Sequence, residues 1–583
     1  MTAEEDALQN LSNELDGIED EQNPITDDEL LPTEFVPVDV CLSGEMQLRV
    51  YVDQTYQAIL DTNNCQHPTI FQKSGNMVRI MKRGNGSRII QDMDYDLLFN
   101  ALTYRVNFFH LPTQEEIDQW HLIHTDDPDN HPKNPPVAIV KNILSRNSYD
   151  GLPELIGIVT CPIMDLYTGN IRLDSHYDPL SKMYFGNIDL DMPPVPDNPT
   201  VEETLAAYNI LKEVIIDFPF VSTANQTNMI ALLITAVIRP SIEGHIPVFL
   251  IDKPAAGTGA GLLCDTVSIV VTGEGANIFT LPKNGEEEWK KVISTVLKSG
   301  NLLSIVDNVE DKINLPSLAA LVTCNQYSDR LLGGNVMFTA PHRQTWIING
   351  NNVQLGGDIA RRVVWIRMDA ELERPWLRAE KSFKHNQIPF VTCNRGEILS
   401  AIYTIVRSWV RAGRVMADDA VPSMGGFEAW RNTLGGIMQH LGCTEFLGNS
   451  QELIETTDVD APQWNTFIST LFEKLCNWND DSYTMSGGDY CRIAKTINVE
   501  FITSTVMDIL EYEKNPINIK SMVALKDVLP DELADEYAGS KNFNRVFGRS
   551  LRKNMDKRFG EKYRLCKSTK KVHQAVCWEI QKI

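Results

Sequence analysis

The chain has 583 residues, 43% of them hydrophobic, with 78 acidic against 53 basic side chains and a net charge of −25. That length predicts three or four domains with their own cores, and the composition is that of an ordinary soluble globular protein. No apolar window approaches a membrane span, no signal-peptide pattern opens the chain, and the 11 cysteines form no Cys-x-x-Cys pair or zinc spacing. Reduced thiols in a cytosol are therefore expected. The acidic balance excludes a nucleic-acid surface spread over the whole molecule, so any such surface must be local.

Residues 1–35 contain many acids, and the first basic residue is Arg49. With few aromatics, this stretch is predicted to be an acidic disordered tail. Residues 36–195 show a mixed α/β pattern. Gln54–Leu60 and Tyr95–Leu102 have helical spacing, Met77–Met81 and Leu155–Val159 resemble strands, and polar, proline-rich joins such as Asp126–Pro136 separate them. His121, His124 and His131 lie near aspartates, but spacing within a loop fixes no coordination geometry and no metal site is assigned there. Asp174, Tyr177 and Asp178 are placed in a turn. Residues 196–244 are predicted to form a helical collar.

Residues 245–372 carry the pattern with chemical content. Ile246–Ile251 is short, apolar and β-branched enough for a buried strand, and Leu262–Val271 is long enough for a helix. Between them runs Asp252-Lys-Pro-Ala-Ala-Gly-Thr-Gly-Ala-Gly261. Strand, glycine-rich turn and helix make a phosphate-binding loop, in which backbone N–H groups and the helix N-terminus face the anion. The usual pattern places Lys and then Ser or Thr after the last loop glycine. Here Gly259 is followed by Ala260 and Gly261, so the lysine that reaches the β- and γ-phosphates is missing. Leu302–Val306 is an apolar run delivering Asp307 and Asn308, as expected of a strand carrying a Mg²⁺-linked carboxylate. Arg343–Asn352 is a second core strand ending in amides, and Asp358-Ile-Ala-Arg361-Arg362 follows. The ordered set is more specific than any member and predicts a P-loop ATPase core. Gly285–Leu297 is a helix with acids first and basics after, its Trp289, Val292, Ile293 and Val296 marking a core face. Ser328–Phe338, with its Gly-Gly-Asn turn, fits a small hairpin carrying Arg330.

Residues 373–480 are predicted helical, with Glu397–Ala412 and Phe427–Leu441 clearest and Trp409, Trp430 and Trp464 at core positions. Residues 481–583 change character. Residues 540–583 hold 13 Lys and Arg against three acids. Phe543–Arg558 is a basic helix with Arg545, Arg549, Arg552 and Lys553, and Tyr563–Ile580 is a two-stranded wing around Lys570 and Lys571. Helix, wing and charge together predict a winged-helix DNA-binding domain.

Ala256–Leu263, Glu287-Glu-Trp289, Val306-Asp-Asn308, Ser328–Gly333, Gly350-Asn-Asn352, Gly357–Arg362 and Glu373-Arg-Pro-Trp376 together resemble a known family. It comprises the AAA+ helicase-like replication proteins of phages, plasmids and integrative elements. These are related to superfamily 3 helicases and to the helicase half of poxvirus-type primase-helicases. Leu152–Leu155, Tyr177-Asp178, Gly426–Trp430 and Phe446–Asn449 share the likeness, which covers roughly residues 50 to 450. The resemblance implies an α/β fold with an AAA+ core, acting as an oligomeric ring, expected to be a hexamer, in the cytoplasm of a prokaryotic or phage-infected cell. ATP and Mg²⁺ are the implied cofactors, and single-stranded or forked DNA the implied partner, with a separate primase as a candidate partner. Gly257, Thr258, Gly259, Ala260, Gly261 and Leu262 would wrap the phosphates and Asp307 would organise Mg²⁺. Asn351 would sense the γ-phosphate, and Arg361 or Arg362 would reach a neighbour's ATP.

Two departures bear on activity. Asn308 stands where many relatives of this ATPase class carry a catalytic Glu, with Glu310 as the alternative for polarising water. Ala260 removes a cationic donor, a loss on the order of 10²–10³ in rate by analogy with lost oxyanion donors. With the other motifs intact, Ala260 looks like a replaced lysine in an ATP-dependent DNA helicase. The alternatives are a non-hydrolysing DNA-binding ring and an AAA+ switch in antiviral defence.

Overall fold

The computed structural model describes residues 36–583 except 43–45, 64–66, 85, 123–128, 174–175, 187–189, 281–285, 310–312, 314–315, 331–336, 357, 380–381, 458–459, 481–490, 496–497, 515–522, 540–541, 561 and 573–574. The predicted acidic tail, His124, Asp174, Glu310, Gly357 and the Gly-Gly-Asn turn thus lie outside the described residues. The chain divides into two compact units. One comprises the residues up to Glu310 with Leu315–Asn352 and Arg361–Ser450; the other comprises Asp311–Asn314, Val353–Ala360 and Gln451–Ile583. Among the described residues no helix is long and apolar enough to cross a membrane.

The first unit opens with mixed α/β structure. Val38–Cys41 pairs in parallel with Val106–His110, and Ile70–Lys73, Asn76–Lys82 and Arg88–Asp92 form an antiparallel meander. Helices Leu48–Asn63, Tyr95–Arg105 and Val137–Leu144 bury one shared core that includes Ile59, Leu98, Leu102 and Ile143. Asp94 starts the second of these helices by accepting from the Leu97 N–H, a side-chain cap for an otherwise unpaired donor.

The centre of this unit is an all-parallel sheet. We label α1 Thr223–Ile238, β1 Val248–Lys253, α2 Ala260–Thr272, β2 Ile278–Thr280, α3 Glu286–Ser299, β3 Leu303–Val309, α4 Pro316–Leu321, β4 Gln326–Arg330, β5 Met337–Pro341, β6 Thr345–Asn351 and β7 Val363–Arg367. The strand order is β2-β3-β6-β1-β7, and every neighbouring pair is parallel. Strands buried on both faces need continuous apolar runs rather than alternation. The sequence Val248-Phe-Leu-Ile251 supplies one, and all six residues of β1 are buried. Each such side chain contributes about 1.5–3 kcal/mol on burial. Trp289, Ile293 and Val296 of α3 are buried as their spacing predicts. α2 ends at Gly273, whose φ of +83° suits a left-handed cap. There Arg395 donates from Nε to the Ile269 carbonyl at 2.9 Å, placing a cation at the negative end of the helix.

A buried amide network fixes the edge strand. Asn228 of α1 donates to the Trp365 carbonyl of β7 at 2.9 Å and to Asn449 Oδ1 at 3.0 Å. Asn449 donates to Asn225 Oδ1 at 2.7 Å, and Asn225 Oδ1 accepts the Arg367 N–H at 2.8 Å. Buried amides are favourable only when satisfied, and these three tie α1, β7 and the Phe446–Asn449 turn together. Helices α5 Arg395–Arg411 and α6 Glu428–His440 complete this unit, with Trp409 and Trp430 fully buried.

The second unit contains α7 Asp460–Asp480, β8 Cys491–Lys495, β9 Asn498–Phe501, α8 Thr503–Tyr512, α9 Asp531–Gly539, α10 Phe543–Lys553, β10 Arg558–Phe559, β11 Tyr563–Val572 and β12 Ala575–Lys582. Its strands form an antiparallel sheet in the order β8-β9-β12-β11-β10. Phe467 and Leu471 of α7, Ile509 of α8, Phe543 and Phe547 of α10, and Trp578 of β12 share one core. The expected two-stranded wing is therefore the β11–β12 pair of a larger sheet.

His342, in the connection between β5 and β6, is fully buried, and burial with the nearby Arg239, His245 and Arg343 charges holds its imidazole well below the ordinary histidine range. The unfolded chain thus takes up a proton near pH 6.5 that the folded chain refuses, so stability is complete above that pH and falls below it. Scanning calorimetry should show Tm falling between pH 7 and 5, with a contribution approaching about 1.4 kcal/mol per pH unit from this group. His342→Gln should flatten that slope.

Candidate functional site

Two glycines shape the turn between β1 and α2. Gly257 has φ +76° and Gly259, the N-cap of α2, has φ +110°, a region that side chains disfavour. Thr258 is buried and spends its hydroxyl on the Ala255 carbonyl at 2.7 Å. Ala260 is the buried first residue of α2, the space beside Gly261 is open, and Leu262 is partly exposed. The first N–H groups of α2 have no partner within the helix. The turn therefore presents donors and a positive helix end, but no lysine ammonium at position 260.

Asp307 and Asn308 lie near the carboxyl end of β3, where the pairing with β6 shifts register between Val306 and Val309. Asn308 takes a left-handed φ of +56° and is exposed, a conformation asparagine tolerates better than most residues. Such a bulge re-aims the neighbouring side chain. The half-buried Asp307 carboxylate accepts a hydrogen bond from Asn349 Nδ2.

Asn349 makes the central contact of the site. While its Nδ2 donates to Asp307, its Oδ1 accepts from Lys253 Nζ at 2.7 Å, and Lys253 also reaches the Gly350 carbonyl at 3.4 Å. Lys253 is the last residue of β1 and only 9% exposed. Burial lowers its pKa, an effect that the Asp307 charge partly offsets. Parallel pairing sets Lys253 opposite Asn351. The buried Asn351 Oδ1 has no hydrogen-bond donor among the described residues. A strand repeats its facing every second residue, so Asn349 and Asn351 point to the same side.

The paired arginines differ. Arg362 donates from Nη1 to the Ala319 carbonyl at 2.6 Å and to Thr323 Oγ1 at 2.5 Å, while Arg361 is exposed. Arg330 ends β4, which pairs antiparallel with β5; its side chain lies outside the described residues. In the second unit Arg545, Arg549, Arg552 and Lys553 are all exposed on α10, whose opposite face buries Phe543, Phe547 and Leu551. The first three fall at helical spacing and form one basic stripe. Lys571 is exposed on β11, and the side chain of Lys570 lies outside the described residues.

Four residues beyond the predicted set belong to this site: Lys253, Asn349, Trp376 and Arg378. A Cβ placed on Gly257 would come within 2.8 Å of Trp376 Cβ, and Arg378 Nη2 donates to the Thr258 carbonyl at 2.9 Å. Only Trp376 carried a sequence signal, in the Glu-Arg-Pro-Trp motif.

Replacing Asn349 by Ala removes at once the amide that serves the buried Lys253 ammonium and the half-buried Asp307 carboxylate. It should cost about 2–3 kcal/mol, against less than about 1 for Asn351→Ala, whose Oδ1 accepts no hydrogen bond among the described residues. Equilibrium urea unfolding of the two variants would measure the difference.

No family model matches the chain, and no curated protein matches it in sequence. Among solved structures it is similar to the NrS-1 C-terminal region in its A-form apo state, at 13% identity and TM-score 0.33 over 91% of this chain and 99% of that one. A second structure of that region gives 12% identity and TM-score 0.32 over 86% and 96%. The active helicase Cch of SCCmec type IV gives 10% identity and TM-score 0.27 over 80% and 94%.

Proposed function

We propose that the chain is an ATP-dependent DNA helicase or translocase of a mobile genetic element, working as a ring, with hydrolysis impaired by Ala260. The observation that carries this reading is the meeting of the glycine turn with the Lys253–Asn349–Asp307 bridge. Both lie at the carboxyl ends of a parallel sheet, where the strand order reverses around β1. In open α/β sheets such a crevice is where ligands bind. Nucleotide phosphates would face the N–H groups that open α2.

The residues present fit Mg²⁺. A single half-buried carboxylate, Asp307, suits an ion that keeps several waters and shares phosphate oxygens. When bound, the ion would neutralise charge on the phosphates. Gly261 offers no hydroxyl to it, and the Thr258 hydroxyl is already engaged. Asn349 orients the Asp307 carboxylate, and Asn351 Oδ1 is a buried acceptor poised to hold a water near the phosphates. Arg361 is exposed whereas Arg362 is half-buried, which supports Arg361 as the residue reaching a neighbour's ATP. The α10 stripe, with Lys571 on the wing, is the surface for DNA phosphates.

The alternative reading is a non-hydrolysing ring or a nucleotide-bound switch, which Ala260 favours. Steady-state ATP hydrolysis with and without single-stranded DNA separates the two. Ala260→Lys should raise turnover by about 10²–10³ and make it DNA-stimulated. No turnover in either form would leave the non-hydrolysing ring as the better account. In the Ala260→Lys background, Arg361→Ala should lower kcat by about 10³ and Arg362→Ala should chiefly lower Tm.

DNA affinity should be carried by α10. Fluorescence anisotropy with a short duplex should show Arg545→Ala/Arg549→Ala weakening binding and reducing the slope of log K against log salt by about two. An unchanged slope would remove α10 from the DNA interface.

A further inference from the structure

Pro375–Leu377 forms one turn of 3-10 helix laid against the glycine turn, with the Trp376 backbone nitrogen 3.0 Å from where a Gly257 Cβ would sit. Arg378 follows. Its guanidinium returns to the loop, where Nη2 donates to the Thr258 carbonyl at 2.9 Å while Nε donates to the Pro375 carbonyl at 3.2 Å. Cζ lies 4.9 Å from the Phe383 ring centroid, and Nη2 would be 4.0 Å from a Cβ on Gly259. The segment beyond is anchored, because Asp217 accepts the Lys384 and His385 backbone N–H groups at 2.9 Å each.

Arg378 is therefore held in place at the phosphate loop, yet its two acceptors there are neutral carbonyls. Among the described residues no carboxylate lies within ion-pair distance of it. The cation sits beside the N-terminus of α2, where the helix already presents partial positive charge. A helix start ordinarily recruits acids, and a guanidinium there is electrostatically unfavourable unless an anion lies between the two. A guanidinium has five N–H donors in a fork that matches phosphate oxygens, and two of its nitrogens are used here.

We infer that Arg378 is a phosphate ligand of a nucleoside di- or triphosphate bound at this loop, supplying the cation that position 260 lacks. The inference rests on the nucleotide-site reading above. It explains how a loop without its lysine can still hold a polyphosphate. It also assigns the 375–378 turn to the binding site rather than to a mere connection from β7 to the helices that follow. Trp376 and Gly257 fix the approach of that turn, and Arg378 supplies the charge.

Binding of a ribose-labelled fluorescent ADP to the full chain tests this, with Arg378→Gln and Arg378→Lys made both in the chain as it stands and together with Ala260→Lys. Arg378→Gln should weaken binding roughly tenfold or more, as expected for loss of a charge-assisted hydrogen bond. Arg378→Lys should retain most of the affinity. With Ala260→Lys in place, the Arg378→Gln loss should shrink, because a second cation then serves the same phosphates. Unchanged ADP affinity in Arg378→Gln overturns the assignment while leaving the nucleotide site standing. So does an equal loss for the correspondingly labelled adenosine, which would mark Arg378 as a support of the loop alone. Failure of both the parent chain and its Ala260→Lys form to bind ADP overturns the nucleotide site itself, and Arg378 with it.

Discussion

A single amide joins the two halves of the candidate site. Asn349 accepts from the ammonium that ends one strand and donates to the carboxylate near the end of another, across the strand that carries it. Without that bridge the half-buried aspartate would lose the Asn349 amide donor, and the buried lysine would keep only its long contact with the Gly350 carbonyl against its desolvation cost. With it, the residues before the glycine turn and the acid that faces it are fixed relative to each other. Everything proposed for the phosphates, the ion and the flanking arginines depends on that fixed relation.

The position of the bridge explains what could be read from the residues and what could not. The glycine turn was legible because strand, turn and helix are local: a β-branched apolar run, two glycines and a long apolar segment occur within thirty residues. Strand and helix appear at Val248–Lys253 and Ala260–Thr272, within two residues of the expected limits. The hairpin strands around Asp329 and the two tryptophan-bearing helices were legible for the same reason. Asn349 was not. Its role depends on the register of parallel strands far apart in sequence, which pairs Ile251 with Asn349 and Lys253 with Asn351. Nothing local distinguishes the two amides; the strand register that pairs Val306 with Ile348 sets Asp307 beside Asn349.

Arg378 was invisible for a related reason. A lone arginine after a Pro-Trp-Leu turn has no periodic signature, and its meaning comes from a contact with Thr258 across 120 positions. The basic stripe of α10 is the opposite case, since helical spacing and charge both lie within one short segment. The C-terminal hairpin is intermediate: it could be read locally, whereas the three further strands that extend its sheet could not.

The asparagine network at β7 has a further consequence. Asn225, Asn228 and Asn449 hold the edge of the parallel sheet by neutral amides that carry no net charge at any physiological pH. Ionic strength acts on charges, and exposed charges most of all. Raising salt should therefore weaken the hold of the exposed α10 stripe on any polyanion long before it loosens the frame behind the glycine turn. The molecule separates a charged surface that its ionic surroundings can adjust from a scaffold largely indifferent to them.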